Sequence, residues 1–142
     1  MTAVLLWGAV LLSDIAIAHT ATLAVQDAWI RAVPGANVAA AYLTLRNTGA
    51  QPVTVTGVRT SAAAQAMIHE TVVENGLARM RPHEHVIVPA GSTVKLQPGG
   101  LHVMLQGLAR PLVVGQTVPL ELLLSNGDSL QVTATVRPLN GA

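Results

Sequence analysis

No cysteine occurs in the 142 residues. That excludes disulfides, thiol nucleophiles, iron–sulfur clusters and zinc-thiolate sites, together with the blue-copper type of electron-transfer centre, which needs a Cys thiolate. Phenylalanine is absent as well, and tryptophan and tyrosine supply three residues between them. A core must therefore be built from Val, Leu, Ile and Ala. Charge is scarce: eight basic and seven acidic residues leave a net charge of +1. With no basic patch and no acidic run, neither nucleic-acid binding nor a solvating tail is expected. What remains is strongly apolar. At 51% hydrophobic residues the chain can bury a core, and its length is that of one ordinary domain.

The first residues bear on localisation. Ala3 to Leu12 form an apolar run, followed by Ser13-Asp14 and the small residues of Ala16-Ile17-Ala18. This is the layout of a secretory signal peptide over residues 1–18, although Met1-Thr2 ahead of the run carries no Lys or Arg. The alternative for the run is an N-terminal core strand. Ten residues are too few to span a bilayer as a helix. With no Cys after the run, no lipid anchor is expected there. Cleavage after Ala18 would leave a mature, exported domain of residues 19–142, soluble in the periplasm and without a membrane anchor.

Beyond Ala21 the turn formers recur at short intervals: Pro34-Gly35, Asn47-Thr48-Gly49, Asn75-Gly76, Pro89-Ala90-Gly91, Pro98-Gly99-Gly100 and Asn126-Gly127-Asp128. Runs rich in Val, Thr, Leu and Ile lie between them. This rhythm predicts an all-β sandwich or barrel. The expected strands are 23–32, 39–46, 53–60, 65–74, 77–82, 85–88, 93–97, 101–107, 117–124 and 129–137. Asn75-Gly76 fits a type I′ hairpin turn, and Asn126-Gly127 is expected to close the last two strands in a similar way. The Ala-rich stretch 62–66 could form one helical turn. In the last strand Leu130, Val132, Ala134 and Val136 alternate with Ser129, Gln131, Thr133 and Thr135, as a half-buried strand requires.

The soft donors fall into two places. In Leu101-His102-Val103-Met104-Leu105 the apolar residues share one strand face, leaving His102 and Met104 side by side on the other. In the Asn75-Gly76 hairpin, counting outward pairs Thr71 with Met80 and His69 with Pro82, so Met80 is the diagonal neighbour of His69, and Met67 shares that face. Thioethers are soft and select Cu(I), and neutral imidazoles suit copper. Zn²⁺ prefers thiolates, imidazoles or carboxylates. The bland alternative is that Met fills core gaps and strand His residues are hydrogen-bonded surface groups.

The spacing is His69, ten residues, Met80, twenty-one residues, His102, one residue, Met104. It resembles the signature of the PCu(A)C periplasmic copper chaperones. So do DAWIRAVP at 27–34, AAAYLTLRNTG at 39–49 and VPAGSTVKLQPGGLHVMLQGL at 88–108, and the resemblance spans roughly residues 27–137. It implies a cupredoxin-like Greek-key β-sandwich that holds one Cu(I) through His69, Met80, His102 and Met104. It further implies delivery to the apo CuA domain of cytochrome c oxidase, alongside Sco-type thiol proteins. Two departures stand out. Glu70 occupies the place after the first His where many members have Met, and the chain ends RPLNGA without the His- and Met-rich tail that carries a second copper in some members.

Other residues make weaker claims. His83 and His85 flank Glu84 and could capture Cu(II), although a solvated loop explains them too. His19 would own the free amino terminus after cleavage, a good Cu(II) chelate. Arg79 and Arg81 are expected in solvent, and Trp29 and Tyr42 in the core or at its edge. The serines lack a nucleophile-elbow context and the carboxylates form no acid–base pair, so catalysis is not expected. Against the chaperone stand two competing functions: a copper-sequestering protein without a dedicated acceptor, and a metal-free β-sandwich interaction module.

Overall fold

A computed structural model describes residues 22–141. The signal peptide expected over residues 1–18 and the amino-terminal chelate expected at His19 lie outside the described residues. Ten strands follow in order: β1 Leu23–Arg31, β2 Val38–Asn47, β3 Val53–Arg59, β4 Ala63–Glu74, β5 Leu77–Pro82, β6 Val86–Val88, β7 Thr93–Leu96, β8 Leu101–Leu108, β9 Thr117–Leu124 and β10 Ser129–Arg137. No helix occurs among the described residues. The helical turn expected in 62–66 is absent. Ser61-Ala62 form a tight turn and Ala63 already pairs with Leu108, because a place in the sheet outweighs the weak helix preference of a few alanines.

Hydrogen bonding runs through the strands in the order β5-β4-β8-β2-β1-β10-β9-β3-β6, with β7 also on β2. β1 and β10 are parallel, and every other pair is antiparallel. β3 and β4 lie far apart along this path, yet only residues 60–62 join them. The sheet must therefore fold over on itself, and its two halves face each other as a sandwich. Alternating apolar residues fill the gap, among them Ile30, Leu43, Leu105, Leu120 and Val136, each essentially inaccessible to solvent. Burial of each such side chain contributes about 1.5–3 kcal/mol. Leu130, Val132, Ala134 and Val136 of the last strand point into this core as the alternation predicted.

The turns show where local chemistry decides. Asn75 (φ 52°) and Gly76 (φ 78°) both take the left-handed region, so the β4–β5 hairpin closes by two residues, as expected. The β9–β10 connection differs. Gly127 has positive φ but Asn126 does not, and residues 125–128 form a four-residue loop. There Asn126 is held by its own side chain, whose Oδ1 accepts from the Asp128 amide at 2.9 Å. Asn47 is wholly buried. Its Nδ2 donates to the carbonyls of Gln51 (2.6 Å) and Val88 (3.0 Å), and its Oδ1 accepts from the Gly49 amide. The Asn47-Thr48-Gly49 turn is thus tied to β6.

Two irregularities aim the face that carries the soft donors. The pairing of β1 with β2 slips by one residue between Gln26 and Trp29, with Asp27 at φ 49°. This bulge reverses the alternation. Leu23 points inward before it and Ile30 after it, so Trp29 turns to the outer face beside Tyr42. On β8, Gly107 has φ 66°, and a Cβ placed there would lie 2.9 Å from the Ala64 Cβ. Only glycine suits both that backbone and that approach of β4.

Candidate metal centre

The two donor pieces, which the sequence left unconnected, are neighbouring strands. β4 pairs with β8 so that His69 stands opposite His102 and Met67 opposite Met104. β5 pairs with β4 so that Met80 stands opposite Thr71 and Pro82 opposite His69, as the hairpin register predicted. Alternation then puts Met67, His69, Met80, His102 and Met104 on one outer face, while Ile68, Val103 and Leu105 of the same strands enter the core. On the far side of β8, Met104 is opposite Ala40 of β2.

The imidazoles form the centre of the set. Their ring centroids are 6.0 Å apart with planes at 74°. His102 is 2% exposed although it faces away from the core. Its Nδ1 lies 3.0 Å from the Gly100 carbonyl oxygen. A carbonyl can only accept, so Nδ1 carries the proton, and Nε2 is the nitrogen left to offer a lone pair to a metal. That Nε2 is buried without a hydrogen-bond partner, and so are both ring nitrogens of His69. Buried polar atoms are normally paired, so three orphaned imidazole nitrogens on one face call for an electrophile. Burial, with the neighbouring His102 adding to it, pushes the His69 pKa below the ordinary imidazole value. Both effects favour the neutral ring, the form that ligation requires.

The thioethers share the face of this pair. Met80 is 59% exposed and Met67 37% exposed, whereas Met104 is half-buried. Glu70 lies on the opposite strand face, so no carboxylate alternates into the donor set. Among the described residues no group of three or more His, Asp or Glu is arranged to hold a metal ion. Any ion here must accept sulfur. Two neutral imidazoles with neutral thioethers fit Cu(I), which tolerates a tetrahedral N₂S₂ set, better than Zn²⁺ or Cu(II). His83 and His85 do not form a comparable pair: His83 Nδ1 instead faces Glu70 Oε2 at 3.6 Å.

The sequence reading did not foresee the flank of His102. Tyr42 packs 6.4 Å from it, ring to ring, and Trp29 packs 4.7 Å from Tyr42. The Arg31 guanidinium lies over both aromatic rings, at 5.7 and 5.4 Å, and that of Arg137 lies 5.3 Å from Trp29. Asp27 holds Arg137 at 2.8 Å. Trp29 and Tyr42 were expected in the core or at its edge. They are buried, but on the outer face, where the arginines cover them. Burial pushes the Tyr42 pKa up, with Arg31 partly opposing. This cluster walls one side of His102 against water, and the β1 bulge makes it possible.

Similarities to other proteins agree with this fold. The solution structure of apo-DR1885 from Deinococcus radiodurans is 36% identical over 97% of this chain and 94% of that one, with a TM-score of 0.66. That of CuI-DR1885 is 41% identical over 78% and 74% of the two chains, with a TM-score of 0.63. The apo PCuAC domain from PmoF1 shares the fold at a TM-score of 0.69, covering 82% of this chain and 94% of that domain at 24% identity. The class is thus a cupredoxin-like β-sandwich of the PCuAC type. The chain belongs to the family described as "Putative lipoprotein LpqE-like", whose model matches residues 23–136. Within the same range of similarity, "Putative lipoprotein Lxx21020" of Leifsonia xyli subsp. xyli (strain CTCB07) is 40% identical over 119 residues, 83% of this chain and 71% of that protein.

Proposed function

We propose that this protein is an exported copper chaperone that carries one Cu(I) between His69, Met80, His102 and Met104 and releases it to an acceptor protein. The observation that carries the reading is the trio of buried, unpartnered imidazole nitrogens on a face that also carries thioethers. Neutral donors leave the ion its single positive charge, and the absence of thiolates keeps binding reversible. Support comes from the copper-loaded form of DR1885, a relative at 41% identity. The lipoprotein description of the family supports export. The reading keeps the cleavage after Ala18 expected from the sequence, with delivery on the outer side of the membrane. The role is carriage rather than catalysis, and the acceptor favoured by the PCu(A)C resemblance is the CuA domain of cytochrome c oxidase, with a Sco-type protein as third party.

Anaerobic titration with Cu(I), followed by X-ray absorption, tests the site. One equivalent with both nitrogen and sulfur scatterers is expected, and absence of sulfur refutes it. Mixing the loaded protein with apo CuA domain then tests delivery: transfer separates a chaperone from a sequestering protein.

A further inference from the structure

Five soft donors, not four, share the outer face of β5, β4 and β8. The extra one is Met67. It stands directly opposite Met104 on β8 and two residues from His69 on its own strand. Strand alternation therefore points its thioether along the same face as the imidazoles. Met67 is also placed differently from Met80 and Met104. It lines an open cleft of about 380 Å³ that His83 and His85 also line, and neither of the other two thioethers does. So it adjoins the proposed copper site on one side and an open cleft with two further imidazoles on the other. A surface strand position that only needed to cover Met104 could be filled by Ile or Val, with better strand preference.

Resting on the reading that copper is the cargo, we propose that Met67 is an exchange ligand: its sulfur binds the ion as Met104 lets go, and it presents the ion to the His83–His85 cleft for capture by an incoming donor. The step is a substitution at Cu(I). One copper–sulfur bond forms and one breaks, both thioethers are neutral throughout, no proton moves, and the metal keeps its oxidation state. Cu(I) accepts at most four donors comfortably, so a fifth within reach offers an associative path. The ion never has to pass through a poorly coordinated state, which lowers the barrier to leaving without weakening the resting site.

The test compares the wild-type protein with Met67→Leu, Met104→Leu and the double variant. Each exchange conserves volume and should spare the fold, checked by the apo thermal midpoint. Cu(I) affinity is read by competition with a bidentate aromatic chelator, sulfur count by X-ray absorption, and release by stopped-flow mixing with excess of the same chelator. Met67→Leu is expected to keep wild-type affinity and both sulfurs but to release copper several-fold more slowly. Met104→Leu should retain two sulfur scatterers, because Met67 steps in. The double variant should show one, with a further affinity loss of about tenfold beyond Met104→Leu alone. Wild-type release from Met67→Leu, or a double variant that matches Met104→Leu in affinity and sulfur count, overturns the proposal and leaves the four-donor site standing. A wild-type protein without sulfur scatterers overturns the site itself and the exchange with it.

Discussion

His69 and His102 face one another across β4 and β8, their ring centroids 6.0 Å apart and their planes near perpendicular. Directly opposed residues on antiparallel strands are the closest side-chain neighbours a sheet offers. Filling one such pair with two imidazoles, and shielding three of their four nitrogens from any partner, forgoes hydrogen bonds that serine, threonine or a charged pair would make with each other or with water. The arrangement is costly for a scaffold and useful for a metal site.

The Gly100 carbonyl fixes the tautomer of His102, so the ring has one nitrogen for structure and one for ligation. His102→Gln should therefore separate the two roles. The apo protein is expected to lose about 1–3 kcal/mol, as for a buried polar exchange, and remain folded. Cu(I) binding should fall by about two orders of magnitude or more, since even the loss of a group that only orients a ligand costs about 10–100-fold. Denaturant unfolding of the apo form together with a chelator competition checks both. Unchanged affinity would remove His102 from the site.

Acid should act on the apo protein as well as on the loaded one. The folded-state pKa of His69 lies below its unfolded value of about 6.5, chiefly through burial and then through His102. Below 6.5 the unfolded chain thus binds more protons than the folded one, and stability rises with pH. The contribution is fully present above about 6.5 and is lost as pH falls through the folded pKa. Copper makes the window deeper, because protons must displace the metal from His69 and His102. Chemical denaturation of the apo form from pH 7.5 to 5 should show the slope, and His69→Asn should flatten it. Copper retained without change down to about pH 4 would speak against two imidazole ligands.

Asn47 offers a control remote from the donors. Its side chain satisfies two carbonyls and one amide inside the sandwich. Asn47→Ala strands those groups and should cost about 2–4 kcal/mol. Calorimetry is expected to show a lowered thermal midpoint with Cu(I) affinity unchanged once the protein is folded. A variant as stable as wild type would mean that water replaces the side chain.

Strand positions were legible because turn formers and alternation are local. Asn75-Gly76 set the β4–β5 register to the residue, and with it the diagonal placement of Met80 and His69. The partner of β4 was not legible. That β8, thirty residues on, should lie against it is a property of the whole sheet, and nothing near His69 or His102 announces it. The bulge at Asp27 was equally hidden. A continuous strand 23–32 would have sent Trp29 inward with Leu23 and Val25. The left-handed Asp27 turns it outward to Tyr42, and so the aromatic wall of His102 went unseen. The β9–β10 loop was misread for a smaller reason: Asn-Gly closes a two-residue hairpin only where the register leaves two residues free, and here Asp128 and Ser125 belong to the loop too.

Met104→Leu distinguishes a ligand from a packing residue. Leu matches Met in volume, so as mere filler the exchange should cost less than about 1.5 kcal/mol. The neighbours Val103 and Leu105 are buried on the other face and keep their contacts, and Ala40 opposite leaves room for either side chain. An apo thermal midpoint close to wild type is therefore expected. Leucine has no lone pair, however, and the Cu(I) affinity should drop about tenfold, since Met67 can supply sulfur only from a less favourable position. A ligand that binds only the folded state stabilises it in proportion to the logarithm of its affinity, so the copper-induced rise in stability should shrink by about 1.4 kcal/mol at equal free copper. The two measurements check each other, because a packing defect lowers both midpoints alike while a lost ligand lowers only the loaded one. Equal affinity for the Leu variant and wild type would falsify the role of Met104 and leave His102 without its thioether partner.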